Sequence, residues 1–148
     1  MSLSSVLKDK LKEDLKAGDT LAVSVFRLAL SSLHEKEIEK MGDLSEDEEI
    51  EVLSQEAGRR REAIEAYRKA GRKDLAEKEE KELGIIEEYL PERMSAEELE
   101  DLVRKVILEV EASGPPDLGR VMGVVMPKVK GRAEGAEVRK IVEEVLSK

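Results

Sequence analysis

The chain of 148 residues has a formal net charge of −9, 41% charged residues, 40% apolar residues and no cysteine. The absence of cysteine from the sequence excludes disulfides, a thiolate nucleophile and a cysteine-based metal site. Few aromatic residues (2%) and many charges are typical of helices covered with ion pairs, so we predict an all-α protein.

The location of the protein is predicted from its apolar segments. No stretch approaches the roughly 18 uninterrupted apolar residues of a membrane span. Lys8 interrupts the N-terminal segment before the core of a signal peptide could form. We therefore expect a cytoplasmic protein that has no membrane partner.

The composition also carries a signal about temperature. The chain has no Asn, one Gln and one Thr beside abundant Glu, Lys and Arg. Because amides hydrolyse and ion-pair networks stabilise more at high temperature, this usage favours a thermophilic source. A thermal midpoint in the mesophilic range of about 45–65 °C would contradict that hypothesis.

The first two predicted helices precede a turn at Met41. Ser4 and Ser5 are candidate caps of the first helix, and Gly18 is its stop signal. The second helix follows Asp19 and is apolar over most of its circumference, which predicts a central position. Its polar residues fall on one side at three- and four-residue intervals, namely Thr20, Ser24, Arg27, Ser31 and His34.

This polar strip has two interpretations. His34 could act as an acid, a base or a ligand together with Glu37, or with Arg27 and Ser31. A strip that simply faces solvent is the more common arrangement, and we favour it.

Two further helices complete the predicted N-terminal domain. Ser45 and Glu48 form a capping-box pattern that starts a long helix, which Gly71 ends. Arg60 and Arg61 lie beside its apolar stripe. They could bind an anion, but arginines in this position more often pair with acids of the next helix, here Glu79, Glu80 or Glu82. Inward positions of the third and fourth helices are predicted at Ile50, Leu53, Ala57, Ile64, Tyr67, Leu75, Leu83, Ile86 and Leu90.

A domain boundary is predicted where Pro91 to Met94 interrupts the helical pattern. The expected domains are residues 1–91, with about four helices, and residues 95–148, with three. The second domain begins with a capping-box pattern at Ser95 and Glu98. Its later landmarks are the stop at Gly114-Pro115-Pro116, the candidate cap Asp117, the helix end or kink at Pro127 and a last helix over Ala136 to Leu146.

A basic segment stands out on this acidic chain. Residues 118–133 contain four cations and no acid, and with Gly135 the segment carries four glycines that interrupt its helical character. Gly131 and Gly135 flank the start of the last helix, where free backbone N–H groups and the helix dipole favour a phosphate. A solvated charge run is the alternative. The candidate nucleic-acid contacts are Arg120, Lys128, Lys130, Gly131, Arg132, Gly135 and Arg139.

Five short motifs together resemble the GatB/YqeY family, over nearly the whole chain. The likeness is to its stand-alone members, which are similar to the tail domain of the B subunit of aspartyl/glutamyl-tRNA amidotransferase. One departure is Glu134, where relatives often have Asp, a better helix cap. The motifs are Tyr67, Gly71-Arg72 with Asp74-Leu75, Tyr89-Leu90-Pro91, Gly119 with Val121-Met122, and Gly131-Arg132-Ala133 with Gly135.

The resemblance implies a two-part helical fold and a tRNA-associated role. The implied partners are tRNA or another structured RNA, and amidotransferase or aminoacyl-tRNA synthetase components. The family often carries the label of a carbon–nitrogen ligase with glutamine as amido donor. In the amidotransferase, however, the tail engages tRNA while other domains and another subunit perform the chemistry.

The residues themselves argue against ligase chemistry by this chain alone. Release of ammonia from glutamine needs a Cys nucleophile or a Ser–Lys type site, and amide transfer needs an ATP and metal pocket. The chain has no Cys and no P-loop pattern, so we expect no catalytic residue, metal or cofactor. Three interpretations stay open: an RNA-binding accessory protein, a protein-interaction module that uses its acidic segments Glu46–Glu51 and Glu77–Glu88, and a glutamine-using ligase.

Overall fold

The computed structural model describes residues 2–148, and in that range the chain forms seven α-helices and no strand. The all-α prediction is therefore confirmed. Two compact units can be distinguished, Met1–Pro91 and Glu92–Lys148. No helix within the described range is long and apolar enough to cross a membrane.

Four helices lie in the first unit and three in the second. Those of the first unit are α1 (Leu3–Ala17), α2 (Thr20–Lys40), α3 (Glu46–Lys69) and α4 (Lys73–Glu87). Those of the second unit are α5 (Ala96–Glu109), α6 (Leu118–Lys128) and α7 (Gly135–Leu146), with a 3-10 turn at Pro115–Asp117 before α6.

The central position of α2 is confirmed by its burial. Its sequence is apolar over most of the circumference, and the helix packs against α1, α3 and α4. The ring of Phe26 meets that of Tyr89 edge to face, with centroids 5.7 Å apart, a favourable aromatic geometry. Fully buried residues on α2 include Ala22, Val25, Phe26, Ala29 and Leu33.

The prediction of Ser4 and Ser5 as caps of α1 is wrong, because both lie inside the helix. Ser2 is the cap, and its hydroxyl accepts a hydrogen bond of 3.1 Å from the Ser5 backbone N–H. The buried carboxylate of Glu49 on α3 accepts two more, from Leu3 (3.3 Å) and Ser4 (2.9 Å). Three of the N–H groups that a helix start leaves unpaired are thus satisfied.

The expected pairing of the α3 arginines with α4 is confirmed. Arg60 is only 8% exposed and contacts the carboxylates of Glu82 and, at 3.3 Å, Glu79. Arg61 pairs with Glu87 at 3.6 Å. These contacts join the two helices that have the most extensive mutual packing in the chain.

The second unit has its own core, which all three helices share. Its buried residues recur at helical spacing, so each helix presents one apolar face. They are Leu99, Val103, Val106, Val121, Val125, Val129, Ala133, Val138, Val142 and Leu146.

Candidate nucleic-acid interface

Helix α6 carries two exposed cations and two exposed glycines. The expectation that four glycines interrupt the helical character of this segment is wrong for two of them, since Gly119 and Gly123 lie within α6. Both are exposed, and a Cβ at either position would meet no atom within 4 Å. Pro127 occupies the last turn, and the helix ends at the next residue, Lys128. Arg120 and Lys128 are exposed on the same helix.

The turn after α6 is built around a buried glycine. Gly131 has φ +73°, a left-handed conformation that glycine adopts without strain. The neighbouring Val129 and Ala133 are buried in the core, and the Arg132 N–H donates to the Val129 carbonyl at 2.8 Å. Gly131 therefore forms the turn, and its buried position is unfavourable for the phosphate contact predicted there.

Arg132 links this turn by hydrogen bonds to the segment that precedes α5. Its Nε donates to the Glu92 carbonyl oxygen at 2.7 Å, and its own carbonyl accepts from the Met94 N–H at 3.0 Å. The guanidinium also lies 3.7 Å from Glu98. Arg132 thus holds a structural position, which the sequence alone did not indicate.

The start of α7 is surrounded by carboxylates. Gly135 is exposed, as a phosphate site at this helix start requires. Glu137, however, accepts from the Glu134 N–H at 3.4 Å, and Arg93 lies 3.0 Å from Glu137 and 3.8 Å from Glu134. A phosphate at Gly135 would have to displace these two acids. Arg93 is not among the residues predicted from the sequence, because its partners lie more than forty residues away.

The other predicted contacts are exposed cations, and three of them form exposed ion pairs. Arg120 pairs with Asp117 at 3.6 Å, and Arg139 pairs with Glu143 at 2.9 Å. Lys128 lies 3.8 Å from a carboxylate of α5. Lys130 is exposed and has no carboxylate within 4.0 Å in the part of the chain that the structure covers. Exposed pairs contribute at most about 1 kcal/mol, so a phosphate can replace the carboxylate at little cost.

Asp117 is the N-cap residue of α6, as predicted, but its side chain makes no capping hydrogen bond. Its carboxylate accepts from the backbone N–H of Ser113 at 2.9 Å and lies 3.4 Å from the Ser113 hydroxyl. The backbone hydrogen bond from Ser113 lowers the pKa of Asp117 below its usual value, and Arg120 adds to the effect. Asp117 therefore stabilises the Gly114-Pro115-Pro116 connection.

These features define an all-helical protein with exposed cations on its three-helix unit. The sequence pattern of the family described as Yqey-like protein matches residues 4–146, so the chain belongs to the YqeY-like family.

Three fungal relatives are similar to this chain. It is 35% identical over 112 residues to altered inheritance of mitochondria protein 41, mitochondrial, from Lachancea thermotolerans, covering 74% of this chain and 60% of that protein. It is 33% identical over 126 residues to the protein of the same name from Kluyveromyces lactis, covering 82% and 68%. It is 31% identical over 94 residues to uncharacterized protein C22F3.15 of Schizosaccharomyces pombe, covering 64% and 76%. The chain thus spans less than two thirds of the first of these relatives.

Proposed function

We propose that this YqeY-like protein binds the phosphate backbone of tRNA or another structured RNA and acts as an accessory factor without its own active site. The main support is that this acidic chain exposes cations on α6, on the following turn and on α7. Exposed glycines in the same segment leave the backbone accessible. Phosphate neutralisation by such cations supplies most sequence-independent affinity for nucleic acid. The four cations are Arg120, Lys128, Lys130 and Arg139.

Recognition of backbone and shape fits the distribution of aromatic residues. The chain has one Phe and two Tyr. Phe26 is buried, and Tyr67 and Tyr89 are half-buried. Since stacking on exposed aromatic rings is the usual way to bind unpaired bases, RNA contact is expected to follow the phosphates.

The proposed setting is tRNA-dependent amidation or another tRNA process in the cytoplasm. Its support is the resemblance of the motifs at Gly119 and Gly131 to the amidotransferase tail domain. On this proposal, amidotransferase or aminoacyl-tRNA synthetase components are reached through a shared tRNA. The carbon–nitrogen ligase label of the family would then describe the complex rather than this chain.

The competing interpretation, an acidic docking module, is weakened by the contacts of its acids. Glu79 and Glu82 contact the buried Arg60, Glu80 contacts Arg68, and Glu87 contacts Arg61. Carboxylates already paired within the fold contribute less to attraction of a basic partner. A pull-down with and without ribonuclease separates the two interpretations, because RNA-mediated partners are lost on digestion.

The test compares two double variants that remove the same charge. Lys128→Gln/Lys130→Gln removes proposed phosphate contacts, and Lys78→Gln/Lys81→Gln removes two exposed lysines of α4 as a control. If about four phosphates are neutralised, log affinity for tRNA falls with log salt at a slope of roughly −3. The first variant should reduce the magnitude of that slope by about two, while the control leaves it nearly unchanged.

Two outcomes contradict the proposal. One is a tRNA affinity that does not depend on salt. The other is a folded Lys128→Gln/Lys130→Gln variant that binds tRNA as tightly as the control does. Circular dichroism establishes that each variant is folded.

A further inference from the structure

Among residues 2–148, Arg27 has no carboxylate within 4.0 Å, although the chain is rich in carboxylates. The sequence contains eleven arginines, and every other one lies within 4.0 Å of an Asp or Glu oxygen. Arg27 is also the only charged residue in the segment 20–33 of α2. Its guanidinium therefore has five N–H donors and no protein acceptor in the structure of residues 2–148.

Polar groups on α1 and α2 face the same depression as Arg27. Ser31 follows Arg27 by four residues on α2, and Lys8 follows Ser4 by four residues on α1. Residues four apart lie on one helix face, so each helix presents one cation and one hydroxyl. Neither hydroxyl donates or accepts a hydrogen bond within the described chain, and Lys8 has no carboxylate within 4.0 Å.

The depression has a volume of about 300 Å³. His34 and Glu37 complete its rim, with the imidazole Nδ1 lying 4.0 Å from the Glu37 carboxylate. The depression is lined by two cations, Arg27 and Lys8, and by one acid, Glu37. Its net charge is therefore positive. A tetrahedral oxyanion can accept hydrogen bonds from a guanidinium, an ammonium group and hydroxyls simultaneously.

A second depression, of about 630 Å³, adjoins the first one at Arg27 and Ser31. Leu28 and Leu15 are each 50% exposed on its wall, and Val23 lies beside them. Two carboxylates also line it: Asp14 lies 3.6 Å from the Lys10 ammonium, and Asp19 accepts a hydrogen bond from the Ala22 N–H. An apolar surface next to an anion site suits a ligand that carries both an anionic group and an apolar or aromatic part.

We propose that the groove between α1 and α2 binds the phosphoryl group of a small organic phosphate. Arg27 and Lys8 neutralise its charge, Ser4 and Ser31 donate hydrogen bonds, and the depression beside Leu28 receives the apolar part of the ligand. This inference does not rest on the proposed RNA role of the second unit, because no residue is shared between the two sites.

The experiment is an NMR titration of the full chain with inorganic phosphate and then with phenyl phosphate, at constant ionic strength maintained with chloride. Saturable shifts are expected for the resonances of residues 4, 8, 27 and 31, with a phosphate Kd on the order of millimolar. Phenyl phosphate should bind more tightly, because its ring buries apolar surface. Arg27→Gln should weaken both ligands about tenfold or more, since it removes charge-assisted hydrogen bonds.

The matched control is Arg104→Gln, an exposed arginine of α5 that should bind phosphate as the unchanged protein does. Absence of saturable shifts, or equal binding by Arg27→Gln and the control, overturns the site. Addition of tRNA tests the source of the phosphoryl group. We expect tRNA to leave the phosphate-induced shifts in place, and displacement of phosphate by tRNA would overturn the assignment to a small ligand.

Discussion

The Nε of Arg132 donates a hydrogen bond of 2.7 Å to the carbonyl oxygen of Glu92, forty residues earlier in the chain. The bond ties the turn between α6 and α7 to the segment before α5, and the 3.0 Å bond from the Met94 N–H to the Arg132 carbonyl reinforces it. A residue predicted to contact phosphate thus also holds the fold of its unit together.

Arg132→Met should therefore lower the free energy of unfolding by about 1 kcal/mol, because the Glu92 carbonyl loses its charged donor. The control is Arg139→Met, which removes only an exposed pair with Glu143 and should change stability by less than about 0.5 kcal/mol. Urea denaturation of the two variants measures the difference. If both variants are equally stable, the hydrogen bond from Arg132 to the Glu92 carbonyl does not contribute to the free energy of unfolding.

Gly84 offers a stabilising substitution. It lies exposed inside α4, and a Cβ there would meet no atom within 4 Å. Gly84→Ala should raise the free energy of unfolding by about 0.5–1 kcal/mol, because alanine loses less backbone entropy in a helix.

The matched control for Gly84→Ala is Gly71→Ala, at the turn after α3. A Cβ there also meets no neighbour, but the backbone has φ +74°. Strain in the left-handed region should make this variant less stable by about 1 kcal/mol. Thermal unfolding of both proteins should give opposite shifts, and shifts of the same sign would contradict the assigned backbone effects.

Replacement of Arg60 alone should lower the free energy of unfolding substantially. Glu82 is 7% exposed, and Arg60→Met would leave its carboxylate buried without its charged partner. The expected loss is about 3 kcal/mol of unfolding free energy. Adding Glu82→Leu should recover most of that loss, because the pair is then replaced by apolar side chains.

An exposed pair between the same two helices provides the comparison for Arg60. Arg68 contacts Glu80 with 63% and 40% of the side chains exposed, so Arg68→Met should cost less than about 1 kcal/mol. Chemical denaturation measures the free energy of unfolding of Arg60→Met, of Arg60→Met/Glu82→Leu and of Arg68→Met. A double variant at Arg60 and Glu82 that is no more stable than Arg60→Met would refute the explanation by unpaired charge.

Glu48 should titrate unusually low. A hydrogen bond of 2.5 Å from the Lys40 ammonium, with a further one from the Ser45 N–H, lowers the pKa of Glu48 to about 2 from an ordinary 4.5. Because the folded-state pKa is the lower one, the stabilising effect is present above pH 4.5 and is lost as the pH falls toward 2.

Carboxyl NMR titration measures this pKa directly. Lys40→Gln should raise the pKa of Glu48 toward its ordinary value, since the main hydrogen-bond donor is removed. Lys36→Gln removes a neighbouring exposed lysine that pairs with Glu39, and it should leave the Glu48 titration unchanged. An unchanged Glu48 pKa in Lys40→Gln would exclude the lysine as the cause.

The sequence by itself determined most of the local structure, although it misplaced the cap of α1 and did not place Gly119 and Gly123 inside α6. The capping boxes at Ser45 and Ser95 form as predicted, and Gly18 and Gly71 end their helices in the left-handed conformation. The apolar periodicity also identified the buried faces. These signals act within one or two helical turns, so neighbouring residues contain the information needed to predict them.

Only the tertiary structure decided which long-range partners the polar residues have. Glu49 caps α1 from 45 residues away, Arg132 binds Glu92, and Gly131 is buried in a turn instead of lying open at a helix start. The isolation of Arg27 likewise depends on where the packed helices place the carboxylates around it. Such contacts depend on how helices pack, and side-chain spacing along the chain does not specify that geometry.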